Sequence, residues 1–331
     1  MKKPGDRIIC AMSGNFVQRG EFAVYDKLTR AAAALDGGAD LVLELPAPCS
    51  VLSAQGFAKA GVALLEAAGI CDALAFGAEC DDVAALQQIS REIRDKDEAI
   101  KEKLANGISY PQARREVIGS PLLDTPNNIL AIEYLTYTKL QPIAVRRIGR
   151  GHDSEDEQYS AGAIRQTLPE EAIASLKHCE SAVLYKLRTM QPSDFATIED
   201  VSEGLENRIF EAVQTATTLD ELYDTIKTKR YTHSRIRRII LRAFLGIDRT
   251  VPQTPQYIRV LGFNENGREL LGEMKKAVSL PLITRYADAK RYGGEVLALF
   301  EAESRYTDIY NLGFTVPKPC GSEKTDQIIM K

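Results

Sequence analysis

From Arg7 to Ile148 the chain alternates short apolar, β-rich runs with helical runs, and beyond Pro169 that alternation nearly stops. Such a rhythm is the signature of a parallel sheet with helices on both faces. Strands are predicted at Arg7–Met12, Asp40–Leu45, Asp72–Phe76 and Gln141–Ile148, and helices at Phe22–Leu35, Ser53–Ala68, Asp82–Ala105, Tyr110–Val117 and Pro126–Leu140. Glycines at 37, 38 and 69 and the proline at 126 punctuate them. Later, helical periodicity covers Ala172–Met190, Gly204–Ala216, Leu219–Lys227 and Ser234–Leu245, with strand-like runs only at Tyr257–Phe263 and Pro281–Thr284. The expectation is a Rossmann-like α/β unit over residues 1–190 and a mainly helical unit over 191–331, divided at Gln191-Pro192-Ser193. A length of 331 residues accommodates two cores.

No apolar stretch reaches the roughly 18 residues of a membrane span, and no apolar segment precedes a cleavage site near Met1. The six cysteines are scattered without a CxxC, and the three histidines form no HExxH, which argues against a disulfide framework or a zinc site and for a reducing, cytoplasmic setting. A net charge of −4 argues against a protein that coats nucleic acid indiscriminately but leaves room for a local basic patch.

Several segments sit where ligands sit in an α/β sheet, at the carboxyl ends of predicted strands. Met12–Gly20 (MSGNFVQRG) follows the first strand; it is either a ligand turn or an ordinary βα turn carrying Arg19. Phe76–Glu79 (FGAE) has a glycine that permits close approach to the backbone, or simply makes a turn. Thr125–Asn128 (TPNN) opens a helix with two amides, which cap it or leave one group for a base or ribose. Val145–Arg150 (VRRIGR) concentrates cations at the end of the fourth strand; alternation places Arg147 with Val145 and Arg146 opposite. Ser160–Arg165 opens a further helix, suited to an anion. Lys27 and Arg30 share a helix face, either for phosphate or for solvent. Glu44 interrupts an apolar strand and needs a cation, Arg19 or Lys27. Lys227–Arg242 (KTKRYTHSRIRRIILR) holds seven lysines and arginines and no acid. In an acidic chain this points to a polyanion partner, with Arg235, Arg238 and Arg242 on one face and Tyr231 free to stack on a base; a solvated amphipathic helix is the alternative.

In order along the chain, MSGNFVQRGE, DK-x-TRA, GGADLVLELP, FGAE, PNNILA-x-EY, SA-x-x-IR, TKRYT-x-x-R-x-RR, Y-x-R-x-LGF and TDIYNLG resemble the bacterial tRNA-methionine cytidine acetate ligase family. The resemblance implies a nucleotidyltransferase-like ATP-binding domain followed by a helical, RNA-binding one. It implies activation of acetate by ATP, with Mg2+, to acetyl-adenylate, and acetyl transfer to N4 of the wobble cytidine of elongator tRNA-Met. Carried over residue by residue, Gly77, Asn127 and Arg147 are the expected ATP contacts, and Lys229, Arg230, Arg235, Arg237 and Arg238 the expected tRNA contacts. The family's HxGH signature, on a first strand and loop, has no counterpart in these 331 residues, so no catalytic residue is assigned. That unit, roughly 25 residues long, is expected to fall ahead of Met1, through a misassigned start or a truncated gene. Two other readings remain: a non-catalytic RNA-binding remnant, favoured by the missing signature, and an adenylyltransferase acting on a small metabolite, disfavoured by the basic helix.

Overall fold

The computed structural model describes residues 3–147, 167–202 and 204–331. Strand β1 (Ile9–Ser13) leads into a small hairpin, β2 (Phe16–Val17) and β3 (Glu21–Phe22), before helix α1 (Lys27–Asp36) begins. The helix therefore starts later than the expected Phe22. The hairpin uses the intervening residues, and Asp26 caps the helix by accepting from the Thr29 amide. Strand β4 (Leu41–Leu45) is buried throughout and pairs in parallel with β1, Ile9 opposite Leu41 through Ser13 opposite Leu45. A short turn of helix, α2 (Ala47–Ser50), and α3 (Ala54–Ala67) cross to β5 (Ala73–Ala78). The charged stretch that follows divides at Lys96 into α4 (Val83–Asp95) and α5 (Asp97–Ala105). Then come α6 (Tyr110–Ile118), α7 (Pro126–Tyr137) and β6 (Gln141–Arg146), which pairs in parallel with β5.

A layer of helices follows: α8 (Glu180–Arg188), α9 (Pro192–Ala196), α10 (Leu205–Thr215), α11 (Leu219–Ile226) and α12 (His233–Leu245). The chain then returns to the first sheet. Strand β7 (Ile258–Phe263) lies antiparallel along the free edge of β4, Leu41 opposite Phe263. After α13 (Glu265–Ala277), strand β8 (Leu282–Ile283) adds to β7; after α14 (Tyr286–Tyr292), α15 (Gly294–Tyr310) and α16 (Ser322–Thr325), strand β9 (Ile329–Met330) does the same. The sheet is thus mixed, not purely parallel; Ile258, Val260, Leu270, Leu271 and Met274 pack into the core of the first sheet, while Tyr306, Tyr310 and Phe314 pack with the helical layer. The largest core joins both halves as well: Phe16, Phe22, Ala47 and Val51 pack with Val183, Ile209, Ile239 and Tyr310. The strands split into three groups among the described residues, β1-β4-β7-β8 with β9, the hairpin β2-β3, and β5-β6, so β1 and β5 each pair along one edge.

Candidate functional site

The carboxyl ends of β5 and β6 meet the first turn of α7. Gly77 is exposed on β5, opposite Val145 of β6, and the Arg147 amide donates to the Ala78 carbonyl at 2.9 Å. Asn127, in the first turn of α7, faces both strands. Its Nδ2 donates to Glu79 Oε1 at 2.6 Å, and its Oδ1 accepts from Arg147 Nη1 at 3.4 Å. Gly77, Asn127 and Arg147, far apart in the chain, therefore occupy one small surface. Sequence motifs alone give Glu79 no role. Its second oxygen accepts from the Asn128 amide at 2.8 Å, so a carboxylate from the neighbouring strand caps α7, not the TPNN amides, while Asn128 Oδ1 accepts from the Cys80 amide at 2.9 Å. Burial pushes the Glu79 carboxyl up, but the donors from Asn127 and Asn128 outweigh that and hold it below the usual carboxylate range. The cluster presents a glycine with no side chain, an amide held in one orientation and a guanidinium, which suits a nucleotide. Arg150, His152, Asp153 and the helix-opening segment 160–165 lie outside the described residues.

A second constellation lies at the carboxyl ends of β1 and β4. Lys27, in the first turn of α1, is buried, and its Nζ contacts Glu44 Oε1 at 2.7 Å and Glu323 Oε2 at 2.6 Å. Of the two candidate cations for Glu44, it is Lys27 that answers it; Arg19 is exposed at the hairpin tip. Arg259 of β7 and Glu303 of α15 complete a buried group of two cations and three carboxylates. Burial alone would lower the Lys27 ammonium, but Glu323 and Glu44 hold it above its ordinary value. Burial raises the Glu44 carboxyl, and burial together with Glu44 raises that of Glu303. Arg30 faces neither phosphate nor solvent alone: its guanidinium holds the carbonyls of Ser13 and Gly14 at the end of β1.

The basic helix is not a solvated ridge. Arg238 is 8% exposed and pairs with Asp200 at 3.5 Å. Arg242 is 1% exposed, and its Nη1 donates to Pro48 O at 3.1 Å. Tyr231 is buried, with the Arg235 guanidinium 5.1 Å from its ring centroid. Arg235 also donates to the Asp200 carbonyl, and Arg237 pairs with Glu21 of the hairpin. Gly20, with φ of +79°, packs against α12 so closely that a Cβ would lie 2.5 Å from the Arg238 amide nitrogen. The face carrying Ile236, Ile239 and Ile240 is core, and the arginines beside it are held by neighbouring segments, Arg242 by backbone carbonyls and Arg238 by the Asp200 carboxylate. Of the expected RNA contacts, Lys229 is exposed, and Arg230, Arg235 and Arg237 are half-buried; Arg238 is withdrawn from solvent. Periodicity finds a helix face but not what packs on it.

Residues 1–325 match the family model described as HIGH Nucleotidyl Transferase. The chain is 34% identical to a tRNA(Met) cytidine acetate ligase of Acetivibrio thermocellus, an alignment covering 98% of this chain and 92% of the relative. It is 37% identical to one of Thermoanaerobacter sp., covering 93% and 88%. Among solved structures it resembles Thermotoga maritima TmcAL bound with alpha-thio ATP, with a TM-score of 0.86, 27% identity and coverage of 98% and 92%. The apo form of that protein gives a TM-score of 0.88 at the same identity and coverage.

Proposed function

The chain belongs to the tRNA(Met) cytidine acetate ligase family of HIGH nucleotidyl transferases, and from that premise we propose that it is an ATP-dependent tRNA ligase that acetylates the wobble cytidine of elongator tRNA-Met. The observation that carries this is the convergence of Gly77, Asn127 and Arg147 at the ends of β5 and β6, in a fold that resembles an ATP-analogue-bound relative.

An amine cannot displace hydroxide from acetate, so the acid must first become a mixed anhydride. An acetate oxygen attacks the α-phosphorus of ATP and pyrophosphate leaves. The cytidine N4 lone pair then attacks the acetyl carbonyl, AMP departs with the electrons of the broken C–O bond, and N4 gives up a proton. Gly77 lets the nucleoside lie against the backbone, Asn127 offers it a fixed amide, and Arg147 meets phosphate charge. Mg2+ would come in on the ATP triphosphate. Lys229, Arg230, Arg235 and Arg237 would line the tRNA approach. No helix among the described residues is long and apolar enough to cross a membrane, and a tRNA substrate places the work in the cytoplasm.

The test is incubation of the protein with ATP, acetate and tRNA-Met. N4-acetylcytidine should form with one AMP and one pyrophosphate each. Tight tRNA binding with no acetylcytidine and no acetate-dependent pyrophosphate exchange would favour a non-catalytic RNA-binding protein instead.

A further inference from the structure

A cavity of about 430 Å³ opens beside the buried charge cluster, between the start of α1, the end of α15 and the C-terminal segment around α16. Asn15, Lys27, Arg259 and Thr307 line its depth, and Asp26 and Asp326 its rim. Its lining includes Asn15, two residues beyond the end of β1, and Arg259, which pairs with Glu44 near the end of β4, so it lies towards the carboxyl ends of these strands, where α/β sheets bind substrates. Two features ask for a ligand. Arg259 is 3% exposed; its Nε lies 3.6 Å from Glu323 Oε1 and its guanidinium 5.3 Å from the Phe300 ring centroid, yet neither Nε nor Nη1 makes a hydrogen bond among the described residues, and a buried guanidinium N–H left without one is costly. At the rim, Asp326 is exposed, with no hydrogen bond or ion pair to its carboxylate among the described residues, within electrostatic reach of Asp26, Lys27 and Arg259.

We propose that this cavity receives the flipped-out cytosine of the tRNA substrate, with Arg259 donating to the ring's acceptors and Asp326, beside Asp26, accepting from the exocyclic amine. The proposal rests on the reading of the chain as a cytidine acetate ligase. Enzymes that modify a base extrude it into a pocket and read its pairing edge. The cytosine edge offers the O2 and N3 acceptors and the N4 amine donor, the complement of donors in the depth and carboxylates at the rim. Uracil presents a carbonyl at position 4, which the rim carboxylates repel. The volume exceeds that of a pyrimidine nucleoside, so the ribose can enter with the base. The polar groups in its depth are partly tied to one another: Thr307 Oγ1 donates to Glu323 at 3.0 Å and Asn15 Nδ2 to Thr307 at 3.4 Å, while Arg259 Nε and Nη1 make no hydrogen bond among the described residues.

The experiment compares anticodon stem-loop RNAs carrying C or U at the wobble position, titrated against wild type, Asp326→Asn and Arg259→Lys. Wild type should prefer C by roughly tenfold or more, and each variant should bring the C and U affinities together. Asp326 is on the surface, so its variant keeps the test intact if Arg259→Lys fails to fold. Crystals of the full chain soaked in cytidine monophosphate should place the base in the cavity. Wild type that binds ATP and tRNA without preferring C, a preference unchanged in both variants, or cytidine seated elsewhere would each overturn the pocket while leaving the ligase reading intact. Loss of ATP and tRNA binding altogether would overturn the ligase reading, and the pocket with it.

Discussion

Within the protein itself Gly77 has room for a methyl group: a Cβ there would lie 3.6 Å from Arg147 Cγ, ordinary contact distance. Gly77→Ala should therefore fold with an unchanged melting temperature, yet bind ATP more weakly, because the methyl occupies space the nucleoside needs. Unchanged ATP affinity in a folded Gly77→Ala protein would show that the nucleotide lies elsewhere. Glu79 acts through its neighbours. Glu79→Ala should remove the external cap of α7, costing about 0.5–2 kcal/mol of stability, and should free the Asn127 amide to rotate. ATP affinity should fall in Glu79→Ala and recover in part in Glu79→Gln, which keeps an acceptor, as nucleotide titrations of the two would show. That Gly77, Asn127 and Arg147 belong together is legible in the sequence because their motifs resemble those of a known family. Glu79 is not, because its partners, Asn127 and Asn128, lie 48 and 49 positions away, and nothing in FGAE marks a carboxylate as the cap of a distant helix.

The same limit operates on whole elements. The helix at His233–Leu245 is legible from its period, but its surroundings are not. A helical repeat places Arg235, Arg238 and Arg242 together; only the fold reveals that Asp200, Pro48 and Asp248 stand opposite them. Arg238→Glu should consequently unfold the protein more readily, by about 3–5 kcal/mol, since it sets a buried acid beside Asp200; a melting temperature like wild type would contradict the placement. The change Lys229→Glu, in the turn that precedes the helix, should instead leave the melting temperature nearly unchanged, weaken tRNA binding and flatten its salt dependence, by a little under one log–log unit if one phosphate is no longer neutralised. Binding curves at several salt concentrations distinguish the two. The hairpin at Phe16–Phe22 leaves no sequence signal because two-residue strands are too short to set a period, and the helices at Glu265–Ala277 and Gly294–Tyr310 lie outside the predicted elements although each exceeds three turns.

Across the molecule, the apolar runs locate β1, β4, β5 and β6 to within a few residues, although only β4 is buried along its whole length and β6 leaves Ile143 and Val145 exposed. It does not show that Ile258–Phe263 closes the first sheet, because strand pairing across more than 200 residues leaves no local trace. That return strand carries Arg259 into the buried charge cluster, and the cluster makes stability depend on pH. Glu303 is raised well above the ordinary carboxyl range, by burial first and by Glu44 second. A raised folded-state value means the stability it permits is complete below the unfolded value and is lost as pH rises through the folded one. The contribution of Glu303 to the melting temperature should therefore shrink as pH rises above the ordinary carboxyl range. Glu303→Gln, which keeps an acceptor for the Ala47 amide, should show a shallower decline; an identical slope in calorimetry would remove Glu303 as the cause. The placement of the nucleotide at the ends of β5 and β6 is tested most directly by titrating wild type, Asn127→Ala and Arg147→Ala with ATP in a calorimeter. Saturable binding that weakens in both variants, by roughly ten- to a hundredfold in Arg147→Ala for the removal of one charged hydrogen bond, is the expected result. Folded variants that bind ATP as tightly as wild type would contradict it.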